Sequence, residues 1–158
     1  MKIYGDTQSG NCYKVQLVCQ LLNIDHQWID VDILAGDTKS DDFLKKNPNG
    51  KIPLLELDSG ETLSESNAII NYLAFGSDLY PNDRLAQARV LQWQFFEQYS
   101  HEPNIATMRF WLHFIGSAQL SPQQKAQMMA KRIAGCEALS LMDGHLAGHD
   151  WFVGDSVS

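Results

Sequence analysis

Residues 47–70 read Asn47-Pro48-Asn49-Gly50-Lys51-Ile52-Pro53-Leu54-Leu55-Glu56-Leu57-Asp58-Ser59-Gly60-Glu61-Thr62-Leu63-Ser64-Glu65-Ser66-Asn67-Ala68-Ile69-Ile70, and the organisation of the chain unfolds from them. Ile52–Leu57 and a second run near Thr62–Leu63 flank Asp58-Ser59-Gly60, which predicts a hairpin. Pro53 at the start of the first run cannot donate to a strand ladder, so it fits a strand edge, a plain turn or a cis bond. Ser66, Ile69, Ile70 and Leu73 then mark one face of a helix, with Ser64 as its N-cap and Glu65 and Ser66 in its first turn. Upstream, Ser40 caps a short helix with Asp41 and Asp42 in its first turn and Lys45 and Lys46 in its last, closed by Asn47-Pro48.

Towards the N-terminus, Lys2–Tyr4 reads as a brief strand. Val15, Val18, Cys19 and Leu22 lie on one helix face, and His26–Asp32 alternates as a strand. The order up to about Phe75 is therefore β-α-β-α-β-β-α, a mixed α/β domain over residues 1–75. Residues 76–84 (Gly, Ser, Asp, Pro, Asn) are a linker by composition. No strand signal follows. Leu85–Ile115 is a long helical pattern, broken or kinked at Pro103. Ser121-Pro122-Gln123-Gln124 combines a Ser cap, Pro at the first position and Gln at the third, a strong helix start. Ala126, Met129, Ile133 and Cys136 are read as the buried face of that helix, which Gly148 and Asp150 end. Residues 85–158 form an all-α domain on this reading.

Composition limits the function classes. The 158 residues carry 19 acids and 12 bases, a net charge of -7. So acidic a chain is a poor partner for nucleic acid or an anionic membrane. No apolar run approaches the roughly 20 residues of a membrane span, and Met1–Asp6 lacks the pattern of a signal peptide. Cys12, Cys19 and Cys136 are odd in number and lack metal or CxxC spacing, which points to reduced thiols in the cytoplasm.

Three short constellations carry chemistry. In Ser9-Gly10-Asn11-Cys12-Tyr13-Lys14-Val15, Ser9 stands where the first strand turns into the first helix. A helix N-terminus offers unpaired N–H groups and the positive dipole end, and a hydroxyl there can donate to an anion. Ser9 or Asn11 also serves simply as a cap. No histidine nearby makes Ser9 a hydrolase nucleophile. Ser9-x-x-Cys12 lacks the attacking thiol of a dithiol cycle, so Cys12 reads as a buried helical cysteine. The second constellation is Asn47–Pro53. In the third, the Ser66 N–H and hydroxyl can hold a carboxylate and Glu65 an ammonium, which suits an α-amino acid head group.

Taken together, in this order and on these elements, the constellations resemble the soluble glutathione transferases over the whole chain. Asn47–Pro53 resembles the family's loop before its cis-proline. Glu65-Ser66-Asn67-Ala68-Ile69 is close to its Glu-Ser-x-Ala-Ile segment. Ser9–Val15 is similar to the active-site turn of the bacterial serine/asparagine branch, near the theta, zeta and nu classes. The resemblance implies a thioredoxin-like N-terminal domain and an all-α C-terminal domain. It implies that Ser9 activates the glutathione sulfur and that Asn11 also touches it. The backbone of Ile52, presented by cis-Pro53, would pair with the cysteinyl unit. Glu65 and Ser66 would grip the γ-glutamyl group, and Lys39 or Lys51 would face the glycyl carboxylate. Tyr13, Tyr99, Met108 and Trp111 are candidate walls for an apolar electrophile. Glutathione would be the co-substrate and no metal is implied. A free thiol titrates near pH 8.5, so activation means lowering that value; a shift of about two units corresponds to about 2.7 kcal/mol. Two rival functions are a glutathione-dependent disulfide reductase and a non-enzymatic scaffold or regulator of the same fold.

In the family, the stretch Trp151–Ser158 leads into a buried helix. The acid that would complete a capping box with Ser158 lies beyond the last residue. The expectation is a helical domain lacking its last helices, with exposed apolar surface at Trp151, Phe152 and the Ala126–Cys136 face, and a homodimer or lowered stability as the consequence.

Overall fold

Four short strands form one mixed sheet in the order β2-β1-β3-β4. β1 (Lys2–Gly5) runs parallel to β2 (Gln27–Asp30). β3 (Leu54–Glu56) pairs antiparallel with β1 on one side and with β4 (Thr62–Ser64) on the other. The helices between them are α1 (Gly10–Leu21), α2 (Asp41–Lys46) and α3 (Ser66–Ala74), with a 3₁₀ turn at Asp37–Lys39. This is the expected β-α-β-α-β-β-α order and a thioredoxin-like arrangement. The computed structural model describes residues 1–158 and divides into two compact units, Met1–Tyr80 and Pro81–Ser158.

The alternation of side chains along a strand assigns the two faces of the sheet. Ile3 and Leu55 are register partners, and they pack with Val15, Cys19, Ile69 and Leu73 beneath α1 and α3. Their neighbours Tyr4 and Leu54, also partners, join Val31, Phe43 and Ile52 on the opposite face, under α2. Burying each large aliphatic side chain contributes about 1.5–3 kcal/mol. The α2 face is also fastened by charge. Glu56 accepts from Tyr4 Oη at 2.8 Å and from Lys46 Nζ at the last turn of α2, with Lys2 Nζ at 3.5 Å.

One boundary differs from expectation. Ser64 does not cap α3. Its backbone is taken into the β3–β4 ladder opposite Leu54, and the N-cap position falls to Glu65, at φ 69° and with no side-chain cap bond.

The second unit is all helical. α4 (Arg84–Phe96) continues without a break through a π-helical stretch, Glu97–Ala106, into α5 (Thr107–Phe110) and a second π-helical turn, Trp111–Ile115. Pro103 lies inside the first wide stretch. The missing N–H of Pro103 is absorbed by a change of helical register rather than a break. A 3₁₀ turn at Ser117–Gln119 leads to α6 (Pro122–Leu146), which starts with the expected capping box: the Ser121 side chain accepts from the Gln124 N–H while Gln124 accepts from the Ser121 N–H.

Ala126, Met129, Ile133 and Cys136 do not form a buried face, which corrects the first reading of α6; they are exposed, in line with the second expectation for this stretch, and Gly135 and Ala138 are the buried residues. The apolar period marks one stripe, but the small residues of another let the neighbouring helix approach: a Cβ on Gly135 would stand 2.6 Å from Ile105 Cδ1. Trp151 is exposed as expected. Phe152 is half-buried, packed on Trp93, and its carbonyl lies 3.1 Å from His145 Nε2.

Candidate functional site

All the glutathione-site candidates lie in the first unit, around the N-termini of α1 and α3 and the loop before β3. Ser9 is the N-cap of α1. Its Oγ accepts from the Cys12 N–H at 3.4 Å, and its own N–H donates to the Asp6 carbonyl at 3.0 Å. The Asp6 carboxylate accepts from the Gln8 N–H at 2.8 Å. Asp6 thus closes the β1–α1 turn from both its backbone and its side chain. Capping and chemistry do not compete here, because capping uses an oxygen lone pair and leaves the hydroxyl proton available. Ser9 is half-exposed, so that proton is within reach of a ligand.

Cys12 is fully buried. Burial pushes its thiol up, against a smaller lowering by the Ser9 hydroxyl. A thiol held protonated in the core is inert, which agrees with reading Cys12 as a packing residue.

Asn11, on the first turn of α1, reaches α3. The Ser66 hydroxyl donates to Asn11 Oδ1 at 3.2 Å, joining the two helix N-termini. Ser66 is buried at 5% exposure, whereas Glu65 is exposed.

The loop before β3 is held by side chains on its inner side. Asn47, the C-cap of α2, donates through Nδ2 to the Lys51 carbonyl at 2.7 Å and accepts from the Asn49 N–H at 3.1 Å. Lys39 Nζ donates to the Gly50 carbonyl at 3.1 Å. Gly50 sits at φ 59°, where a side chain is strained, and a Cβ there would lie 2.9 Å from the Thr38 carbonyl. The Ile52–Pro53 peptide is cis. Of the three openings left by the sequence, strand edge, plain turn or cis bond, the last is realised. Lys51 is exposed.

Tyr13 is exposed on α1 in the first unit. Tyr99, Met108 and Trp111 belong to the long helix of the second, where Tyr99 is exposed and Trp111 lies under Lys131 Nζ at 5.5 Å. No group of three or more His, Cys, Asp or Glu side chains is arranged to hold a metal ion, and no helix is long and apolar enough to cross a membrane.

The positioning role of two residues escaped the sequence reading, although Asn47 was named there as part of its loop. Asp6 accepts from the Ser9 N–H and Asn47 donates to the Lys51 carbonyl, and so they shape the two loops that carry Ser9 and Ile52. An Asx residue at a turn was the available signal in each case.

Residues 8–74 match the family model for the glutathione S-transferase N-terminal domain. The chain is 32% identical to glutathione S-transferase 3 of Zea mays, an alignment covering 100% of this chain and 72% of the relative. It is 30% identical to glutathione S-transferase theta-1 of Rattus norvegicus, over 100% of this chain and 68% of that one. A crystal structure of a glutathione S-transferase from Pseudomonas fluorescens Pf-5 superposes with a TM-score of 0.94 at 48% identity, covering 99% of this chain and 77% of the other.

Proposed function

The chain belongs to the glutathione S-transferase family, and on that footing we propose that it conjugates the glutathione thiolate to an electrophilic, mostly apolar co-substrate. The observation that carries this reading is the state of Ser9. Its oxygen accepts from the Cys12 N–H, a bond that uses a lone pair and not the hydroxyl proton, at the positive end of a twelve-residue helix. A donated hydrogen bond and a helix dipole both favour a thiolate over a thiol. The sulfur's electron pair then forms a bond to the electrophilic carbon, the bond from that carbon to the leaving group breaks, and the leaving group departs with the electron pair of the broken bond. The protein supplies no covalent group.

On this reading residues 1–75 are the glutathione-binding domain and residues 85–158 the helical domain. Ser9 donates to the sulfur, and the Asn11 amide lies beside it. The backbone of Ile52, next to Pro53, pairs with the cysteinyl unit of glutathione. Glu65 faces the glutamyl ammonium, and the backbone N–H groups at Ser66 face the glutamyl carboxylate, which the absence of a side-chain cap on α3 supports. Lys39 or Lys51 meets the glycyl carboxylate. Tyr13, Tyr99, Met108 and Trp111 remain candidates for the electrophile. We propose a cytoplasmic homodimer; Leu91 and Phe95, four residues apart on α4 and both exposed, offer an apolar stripe.

An ultraviolet thiolate titration of glutathione in the presence of the chain tests the reading. A saturable thiolate signal near neutrality, followed by conjugation of a chlorinated aromatic, is the expected result. Absence of any signal at saturating glutathione would remove the catalytic assignment.

A further inference from the structure

We propose that Asn49–Gly50 is a site of spontaneous deamidation, held in check by the Asn47 side chain, and that its reaction weakens the glutathione site. The effect on glutathione rests on the reading above; the modification site does not.

In an Asn-Gly pair the side-chain amide meets the following backbone nitrogen with least hindrance, because glycine carries no Cβ. Asparagine is also a thermolabile residue. Asn49 is exposed, and the group of it that is tied down is its backbone N–H, which donates to Asn47 Oδ1 at 3.1 Å. The reaction consumes water and releases ammonia. The Gly50 nitrogen gives its proton to a base in solvent and attacks Asn49 Cγ. An N–C bond forms, the bond from Cγ to the side-chain nitrogen breaks, and ammonia leaves with that electron pair and a proton returned by the base. Water then opens the five-membered imide at either carbonyl carbon. The product is an aspartate, or an isoaspartate whose backbone path runs through the side chain and is one methylene longer.

In the folded loop the nucleophile is engaged. The Gly50 N–H donates to the Asn47 carbonyl at 2.9 Å, and Gly50 is buried at φ 59°. Asn47, only 4% exposed, closes the same turn with its side chain by donating to the Lys51 carbonyl at 2.7 Å. A hydrogen-bonded N–H in a fixed turn does not swing towards Cγ, so the fold slows a step that a loosened loop takes freely.

The product fits the loop poorly. A Cβ on Gly50 would stand 2.6 Å from Lys39 Nζ and 2.9 Å from the Thr38 carbonyl, so an extra methylene in the backbone at this point forces the packing to shift. The reaction also places a carboxylate between Lys39 and Lys51 in sequence, at the loop that both serve. That anion competes with the glycyl carboxylate for the same ammonium groups.

The experiment incubates the full chain in mildly alkaline buffer and follows the peptide containing Asn49 by mass spectrometry, with isoaspartate detected by enzymatic methylation. The samples are the unmodified chain folded, the same chain unfolded in urea, Asn47→Ala, and Asn49→Ser as the blank. Loosening the turn removes hydrogen bonds of ordinary strength, so Asn47→Ala is expected to convert about tenfold faster than the unmodified folded chain. The urea-unfolded chain converts at least as fast as Asn47→Ala, and Asn49→Ser not at all. Folded and unfolded chains converting at one rate would overturn the proposal, and that comparison decides it even if Asn47→Ala fails to fold. A folded Asn47→Ala that converts no faster than the unmodified chain would overturn it too. The aged, deamidated chain is then separated by anion exchange and its glutathione Kd measured by calorimetry. It is expected to rise about tenfold, against about two- to fivefold for Asn49→Asp, which adds the charge without the methylene. An aged chain that binds glutathione as the fresh one does would strike the link to the site. A fresh chain that binds no glutathione would remove the glutathione reading itself, while the rates of conversion still decide the modification.

Discussion

Lys39 Nζ and the carbonyl of Gly50 are joined at 3.1 Å across eleven residues of chain. The bond ties the 3₁₀ turn before α2 to the loop that carries Ile52, so the ammonium is already positioned at the loop before any ligand arrives. Lys51, two residues from Pro53, is exposed as Lys39 is, and has no such tether. A tethered ammonium has spent its rotamer entropy during folding, whereas a free one must lose it on binding. An exposed, untethered ion pair is worth about 0–1 kcal/mol, while a charge-assisted hydrogen bond in a fixed geometry is worth about 1.5–3 kcal/mol.

Lys39→Met is therefore expected to raise the glutathione KM by about tenfold or more, and Lys51→Met by about fivefold or less. Steady-state kinetics at varied glutathione, with the electrophile saturating, separates the two. A larger effect from Lys51 would assign the glycyl carboxylate to that residue and leave Lys39 as a loop tether only.

Ser9→Ala removes the hydroxyl proton offered to the sulfur and the cap on the Cys12 N–H together. Losing a hydrogen bond to a charged group costs about 1.5–3 kcal/mol, roughly 10- to 100-fold in turnover. Losing the cap costs the fold about 1 kcal/mol. The expected outcome is turnover reduced within that range, glutathione affinity nearly intact and a small drop in melting temperature. Unchanged turnover would move the activating role to Asn11.

The first unit was legible because its signals are local. A Ser cap, an apolar hairpin around Asp58-Ser59-Gly60 and helix faces at Val15 and Ile69 each read correctly from neighbours in sequence. Ser64 misread because cap chemistry and ladder pairing compete for the same backbone, and the β4 register with Leu54 is a long-range fact. The α6 face misread for a related reason: periodicity identifies an apolar stripe, but burial depends on what covers it. Gly135 and Ala138 carry almost no hydrophobic signal, yet they are the residues a crossing helix selects. At the site, Asn11 and Ser66 were each singled out, but fifty-five residues separate them, and only the folded chain shows their bond.

Glu56 supplies a pH prediction. The Lys46 ammonium, and then the Tyr4 hydroxyl, hold its carboxyl down from 4.5 to about 2. A carboxyl depressed in the folded state adds stability that is complete above the unfolded value and is lost as pH falls towards the folded one. The window is therefore about pH 4.5 down to about 2. The full shift would correspond to about 3 kcal/mol, and because Lys46 is open to solvent on one side, about 1–2 kcal/mol is the better expectation. Urea melts at stepped pH should show this slope in the unmodified chain and a shallower one in Glu56→Gln, which is also less stable at neutral pH. Parallel slopes in the two proteins would show that Glu56 does not tie α2 to the sheet through its charge.

The two glycines of α6, Gly135 near its middle and Gly144 in its last turn, should respond differently. Gly144 has open space where a Cβ would stand, whereas at Gly135 a Cβ would meet Ile105 Cδ1 at 2.6 Å. Glycine in a helix interior costs about 1 kcal/mol relative to alanine. Gly144→Ala recovers that amount and is expected to stabilise the helical unit by about 0.5–1 kcal/mol. At Gly135 the same gain is offset by displacing the end of the Ile105 side chain, so Gly135→Ala is expected to be close to neutral. Gly135→Val adds two further methyl groups at the crossing, and overpacking of that kind costs about 1–3 kcal/mol. Denaturant melts followed by tryptophan fluorescence, with Trp28 replaced by Phe in every variant, report on this unit, since the other three tryptophans, Trp93, Trp111 and Trp151, all lie in it. If Gly135→Val were as stable as Gly144→Ala, the close approach of Ile105 to α6 would have to be given up.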